Sequence, residues 1–154
     1  MRNLEIERLA LSAMSIGISR RCIDEMIKYS NERYAFNKPI NEFGQIQSYI
    51  STSYSKYMSG KCYLYSLAKY GMNDLTSKGN GLDSDGIKLY CASIGKEIAD
   101  NSMQVMGGYG YVGEYVVERL WRDSKLLEIG GGTNESHHKN MIRDLNKLDG
   151  FKLP

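Results

Sequence analysis

The sequence predicts an all-α fold, an antiparallel four-helix bundle with extra short helices. Three observations lead there. Only two prolines occur in 154 residues, Pro39 and Pro154, so helices can run long. Apolar residues recur at helical spacing over long stretches. Strand-like alternation is nowhere sustained, and no internal repeat is present. A chain of this length forms one domain, residues 1–154, with room for a real core.

The first helix is expected from Leu4 to Glu32. Its middle (Leu9, Ala10, Leu11, Ala13, Met14, Ile16, Ile18) is apolar on nearly all sides, which implies burial within a bundle or an oligomer. Asn37-Lys38-Pro39-Ile40-Asn41 is a break, because proline biases the residue before it away from helix. A second helix is expected from Phe43 to Tyr70. The polar, glycine-rich stretch Thr76–Ser84 reads as a loop, and a third helix runs from Ser84 to Met106. Gly107-Gly108-Tyr109-Gly110-Tyr111 interrupts the pattern. A shorter helix (Val116–Leu127), a glycine triplet and a last helix (Asn134–Leu148) complete the chain.

Composition excludes several classes of function. Lys plus Arg is 20 against 18 for Asp plus Glu, so no basic field points to nucleic acid. No apolar run approaches membrane-spanning length, and no signal peptide is expected at the start of this sequence. Cys22, Cys62 and Cys91 are odd in number and widely spaced, and they read as reduced thiols with no disulfide framework or zinc site. His137 and His138 point about 100° apart on a helix, so they cannot form a two-ligand metal face.

Five segments carry chemical meaning. Leu126-Leu127-Glu128-Ile129-Gly130-Gly131-Gly132-Thr133-Asn134-Glu135 places glycines at the opening of a helix, where backbone N–H groups can approach a ligand with no side chain in the way. The same glycines also serve simply to end a helix. Arg33-Tyr34-Ala35-Phe36-Asn37-Lys38-Pro39-Ile40, followed by Phe43 and Gln47, sets an arginine fork at a helix end, suited to phosphate or to solvent. Gln104-Val105-Met106-Gly107-Gly108-Tyr109-Gly110-Tyr111 fits both a tight turn and a close approach to a ligand. Glu118-Arg119-Leu120-Trp121-Arg122-Asp123-Ser124-Lys125 reads as an architectural arginine–aspartate ladder. Glu5-Ile6-Glu7-Arg8-Leu9 puts acids in a first helical turn, where the dipole favours them.

Together, and in their order along the chain, the five segments resemble the C-terminal helical domain of the acyl-CoA dehydrogenases. Family members commonly carry their catalytic glutamate in the glycine loop, and here that position is Gly131. A subset, the isovaleryl-CoA and long-chain acyl-CoA dehydrogenases, carries the base on the first helix in a Glu-Arg-Leu sequence, which Glu7-Arg8-Leu9 matches. The resemblance therefore implies that Glu7 removes the α-proton of an acyl-CoA, with Glu5, Ile6, Arg8 and Gly132 near the substrate. Such a reaction needs a polarised thioester and a carboxylate whose pKa burial can raise. The resemblance also implies FAD, contacted by Arg33, Phe36, Gln104, Val105, Met106, Gly107, Gly108, Thr133, Asn134 and Glu135.

Within the Arg33 stretch, two positions depart from the family pattern. Asn37 replaces a glycine but tolerates the same left-handed backbone, and Gly44 removes a side-chain flavin contact. As further partners the resemblance implies a homo-oligomer (dimer or tetramer) and an electron-transfer flavoprotein, and as compartment the mitochondrial matrix. It also implies a fragment lacking the family's N-terminal helical and middle β domains, inactive alone and self-associating through an apolar face. A short branched-chain substrate of the isovaleryl type is the leading expectation. A long-chain acyl-CoA dehydrogenase, a non-catalytic scaffold relative and a bundle unrelated to flavin are the alternatives.

Overall fold

A computed structural model of the chain describes residues 2–71 and 81–148. Helix α1 (Arg2–Glu32) leads into a two-residue antiparallel pair, β1 (Tyr34–Ala35) and β2 (Lys38–Pro39), and a short 3-10 turn at Ile40–Glu42. Helix α2 (Gly44–Ser66) ends in a π turn over Leu67–Gly71. Helix α3 (Gly81–Met106), the one-turn α4 (Gly108–Tyr111), α5 (Val116–Ile129) and α6 (Asn134–Leu145) follow. The expected all-α bundle is present. Helix α3 occupies its centre, packing most extensively against α1 and then against α5, α2 and α6.

Burial explains this order. In α2 the buried residues Ser53, Tyr57, Gly60 and Leu64 form one stripe at helical spacing. In α3 buried residues lie on nearly every side, which only a central helix can satisfy. The core joins Ile16, Ile23 and Met26 of α1 to Tyr57 and Leu64 of α2 and to Ile87, Ile94 and Ile98 of α3.

The contact between α1 and α3 is close because small residues line it. Ser12, Ser15 and Ser19 are fully buried, and their hydroxyls donate to the carbonyls of Arg8 (2.7 Å), Cys91 (2.5 Å) and Ser15 (2.8 Å). Opposite Ser15 stands Gly95, where a Cβ would overlap Ser15 Oγ and sit 3.3 Å from Ser15 Cβ. The apolar middle of α1 is therefore only partly used. Ile16 faces the core, whereas Met14 is exposed on the other side.

Several boundaries differ from the sequence expectation. The second helix stops regular α geometry at Ser66, four residues before Tyr70. The expected loop at Thr76–Ser84 lies partly outside the described residues, and its last four residues, Gly81–Ser84, already belong to α3. The last helix ends at Leu145, short of Leu148. The β1–β2 pair was not anticipated. It closes through Phe36 (φ 52°) and Asn37 (φ 63°), consecutive left-handed residues of the kind that join two-residue hairpins.

The thiols are free, with Cys22 and Cys91 buried and Cys62 exposed. Burial pushes both buried thiols up to about 12, so they stay protonated and unreactive. Among the described residues no group of three or more metal-ligating side chains converges, and no helix is long and apolar enough to cross a membrane.

The α1–α3 contact can be probed at Gly95. Gly95→Ala gains helix propensity but forces Ser15 off its bond to Cys91, so a net loss of about 1–3 kcal/mol is expected in denaturant unfolding. The double variant with Ser15→Ala should lose less than the sum of the two single changes.

Candidate functional site

Two sites emerge, at opposite ends of α1. At its N-terminal end, Glu7 and Leu11 lie one helical turn apart against the glycine loop. The loop begins where α5 ends, with Gly130 N–H donating to the Leu126 carbonyl at 2.8 Å. Gly131 (φ 65°) and Gly132 (φ 101°) then take backbone conformations that other residues rarely adopt. A Cβ on Gly131 would run into Leu11 Cδ1 and stand 3.9 Å from Glu7 Oε1. The Glu7 carboxylate thus lies beside the position from which a loop side chain at 131 would project. Glu7 and Ile6 are exposed, and Glu5 is half-buried.

Thr133 caps α6 by accepting the Ser136 N–H at 3.3 Å, and Asn134 donates to Ser93 Oγ at 3.3 Å. Glu135 bonds its own backbone N–H and the Thr133 hydroxyl, and these bonds hold its carboxyl below the usual range. The side chains of Thr133 and Asn134 already have protein partners, which leaves their backbone for a ligand.

Beneath the loop lies a buried charge cluster that the sequence reading did not find. Arg8 points inward, and its guanidinium meets Asp85 Oδ1 of α3 at 3.0 Å. Arg8 is 13% exposed and Asp85 2%. His137 of α6, 0% exposed, bonds the same Asp85 oxygen through Nδ1. Lys88, one turn after Asp85, is buried and donates to the Gly132 carbonyl at 2.7 Å. Sequence patterning assigns His137 no part in a metal face and no other role, and the family resemblance sets Arg8 near the substrate. The structure places both under the loop, facing α3.

Burial pushes His137 down, and Lys88 and Arg8 add to that, against the opposing pull of Asp85. Burial likewise lowers Lys88, with the charge of Glu128 working against it. A signal for the cluster was present in the sequence. Lys88, Ala92, Gly95 and Ala99 share one helical stripe, so the lysine stands where an apolar residue would be expected.

At the C-terminal end of α1, Arg33 closes the base of the β1–β2 hairpin, its carbonyl accepting the Ile40 N–H at 2.9 Å. Across a cleft of about 530 Å³ stand Val105, Met106, Gly107 and Gly108, with Tyr29 and Tyr109 also lining it. Gly107 (φ 58°) ends α3, and its N–H donates to the Met103 carbonyl at 2.9 Å. No atom lies within 4 Å of where a Cβ on Gly108 would stand, so that backbone is open to a ligand. Phe36 is 91% exposed at the hairpin tip, edge-on to Phe43. Gln104 lies outside this cleft and lines a smaller one with Asp100 and Trp121.

Helix α5 carries ion pairs, but not the expected arginine–aspartate ladder. Glu118 pairs with Arg122 at 2.8 Å and Lys125 with Glu128 at 2.7 Å, at i,i+4 and i,i+3 spacing.

The sequence matches the family model for the acyl-CoA dehydrogenase C-terminal domain over residues 1–145. The chain belongs to the acyl-CoA dehydrogenase family. It is 37% identical over 147 residues to a mitochondrial isovaleryl-CoA dehydrogenase of Oryza sativa subsp. japonica, covering 96% of this chain and 35% of that protein. It is 33% identical over 147 residues to a cyclohexane-1-carbonyl-CoA dehydrogenase of Geobacter metallireducens, covering 96% of this chain and 38% of that one. The butyryl-CoA dehydrogenase structure from Megasphaera elsdenii superposes with a TM-score of 0.87 at 26% identity, covering 94% of this chain and 37% of that one. The chain thus spans about a third of the length of these acyl-CoA dehydrogenases.

The lowered pKa of His137 has a consequence for stability. The unfolded chain takes up a proton at this side chain near 6.5, before the folded chain does. Stability should therefore fall as pH drops from about 7 to about 5.5. Thermal unfolding across that window should show a shallower slope for His137→Asn than for the parent chain.

Proposed function

We propose that this chain is the C-terminal helical domain of an FAD-dependent acyl-CoA dehydrogenase, with Glu7 as the base that removes the α-proton. One observation carries the reading. The Glu7 carboxylate reaches the very loop, at Gly131, where many family members hold their own catalytic glutamate. The substrate is a short branched-chain acyl thioester of the isovaleryl type. Its Cα lies over Glu7 and its carbonyl beside the backbone of Gly132. Leu11 occupies the space that a side chain at 131 would otherwise fill. Cover from the acyl chain and from the rest of the enzyme would desolvate Glu7 and strengthen it as a base.

The residues present suit FAD. The cleft beside Arg33 combines tyrosine rings, an open glycine backbone and one arginine fork, which fits the adenine and pyrophosphate of a dinucleotide. When bound, FAD supplies the acceptor for the hydride that leaves Cβ as Glu7 takes the α-proton. Thr133 and Asn134 offer backbone groups at the other end.

One chain cannot put both sets on a single cofactor. Residues 8 and 33 are about 38 Å apart along a straight helix, further than a dinucleotide spans. Arg33 and the Gly107 turn therefore serve the cofactor of a second copy, so the working enzyme is a homo-oligomer, a dimer or tetramer. Exposed Leu4, Met14, Ile27, Leu126 and Ile129 supply apolar surface for such contacts. An electron-transfer flavoprotein accepts the electrons, and the mitochondrial matrix is the compartment.

Flavin bleaching by isovaleryl-CoA tests this in the full-length enzyme. Glu7→Gln should keep its FAD yet bleach about 100-fold or more slowly. Equal bleaching in both proteins would place the base elsewhere. Bleaching by a long-chain thioester alone would shift the substrate assignment.

A further inference from the structure

We propose that His137 is a positioning residue for the Glu7 reaction. Its Nδ1–H, given to Asp85, locks the glycine loop and the first turns of α1 into one unit. The inference rests on the reading of Glu7 and Gly132 given above.

The geometry joins three helices at one atom. Asp85 Oδ1 receives Arg8, the residue immediately after Glu7, and His137, five residues after Gly132. Fixing that oxygen on α3 fixes the helix that carries the carboxylate relative to the loop that faces the carbonyl. Lys88, from the same turn of α3, adds a second tie at the Gly132 carbonyl. All four side chains are buried or nearly so.

The charges decide which form of His137 does this. Arg8 and Lys88 bring two cations to a pocket whose one carboxylate is Asp85, with Glu128 and Glu135 acting on Lys88 from further off. A third buried cation is disfavoured there, so the imidazole is neutral with its hydrogen on Nδ1. Nε2 is then bare, and among the described residues it has no hydrogen-bond partner. It lies 3.4 Å from where a Cβ on Gly132 would stand, so the ring edge forms the floor under Gly132. A histidine whose role was only to fill space would not need its Nδ1 on a carboxylate shared with Arg8. The arrangement holds two reacting groups at a set spacing, and a misplacement of about 1 Å in such a constellation costs about 100-fold in rate.

The test uses the flavin-loaded, full-length enzyme and reads the rate constant of bleaching by isovaleryl-CoA at saturation. His137→Phe fills the space but cannot donate. It should bleach roughly 10- to 100-fold more slowly, with FAD content and acyl-CoA affinity close to wild type. His137→Asn, whose amide N–H can stand where Nδ1–H stood, should recover to within about threefold. A Phe variant that bleaches like wild type would overturn the proposal, as would an Asn variant no better than Phe. Should the Phe variant fail to fold, His137→Gln replaces it, because its amide reaches the Nε2 position instead. Equal rates for Asn and Gln would then overturn the proposal.

Glu7→Gln runs alongside as the control. If it bleaches like wild type, the assignment of the base fails. If it is slow while His137→Phe is not, only the positioning role fails.

Discussion

A carboxylate buried at the start of the central helix must be surrounded by donors, and that requirement organises the N-terminal site. Asp85 sits where α1, α3 and α6 meet, and it is satisfied only when all three are in place. Removing one partner of a buried pair leaves an uncompensated charge, at a cost of about 3–5 kcal/mol. The native arrangement of these helices is therefore strongly specified at this point. Apolar packing brings the helices together, but it is non-directional. The shared oxygen gives the contact a direction and a register.

The same helices carry different burdens at their other ends. Near Gly95 the α1–α3 contact depends on small residues, with Ser15 donating across to the Cys91 carbonyl of α3 and Ser19 turned back onto the Ser15 carbonyl. Where α1 ends, the chain reverses through two left-handed residues, one of them a phenylalanine at φ 52°. A bulky residue in that conformation is strained, and strain of this kind persists only where the surroundings over-determine it. Here the paired strands and the Ile40-to-Arg33 backbone bond hold it, and the result is an almost fully exposed ring edge-on to Phe43.

Long helices were legible in the sequence because period and proline scarcity speak over many residues. Features that depend on one or two residues were not. The β1–β2 hairpin has only two residues in each strand, too few for alternation to register, and Asn37 hinted at just one of its two left-handed positions. Gly81–Ser84 looked like loop because glycine and aspartate favour turns, yet tertiary packing carries α3 back through them. Asp85, Lys88 and His137 were missed for a different reason. A charged side chain is normally read as solvated, whereas the structure buries Asp85 between Arg8 and His137 and turns Lys88 onto the Gly132 carbonyl. The glycine loop and the Glu7 helix were legible as motifs, and the structure adds that they touch.

That contact explains why glycine at 131 and glutamate at 7 belong together. A side chain at 131 would begin inside Leu11 and run alongside the Glu7 carboxylate. A second carboxylate there would set two like charges side by side, which disfavours ionisation of both. It would also ask an L-residue to hold φ 65°, a strained position for anything but glycine. A carboxylate at position 7 and a second one at 131 therefore disfavour each other, on steric, electrostatic and conformational grounds together. Gly131, Leu11 and Glu7 form one choice written at two distant points of the chain, and neither point can be altered without disturbing the other.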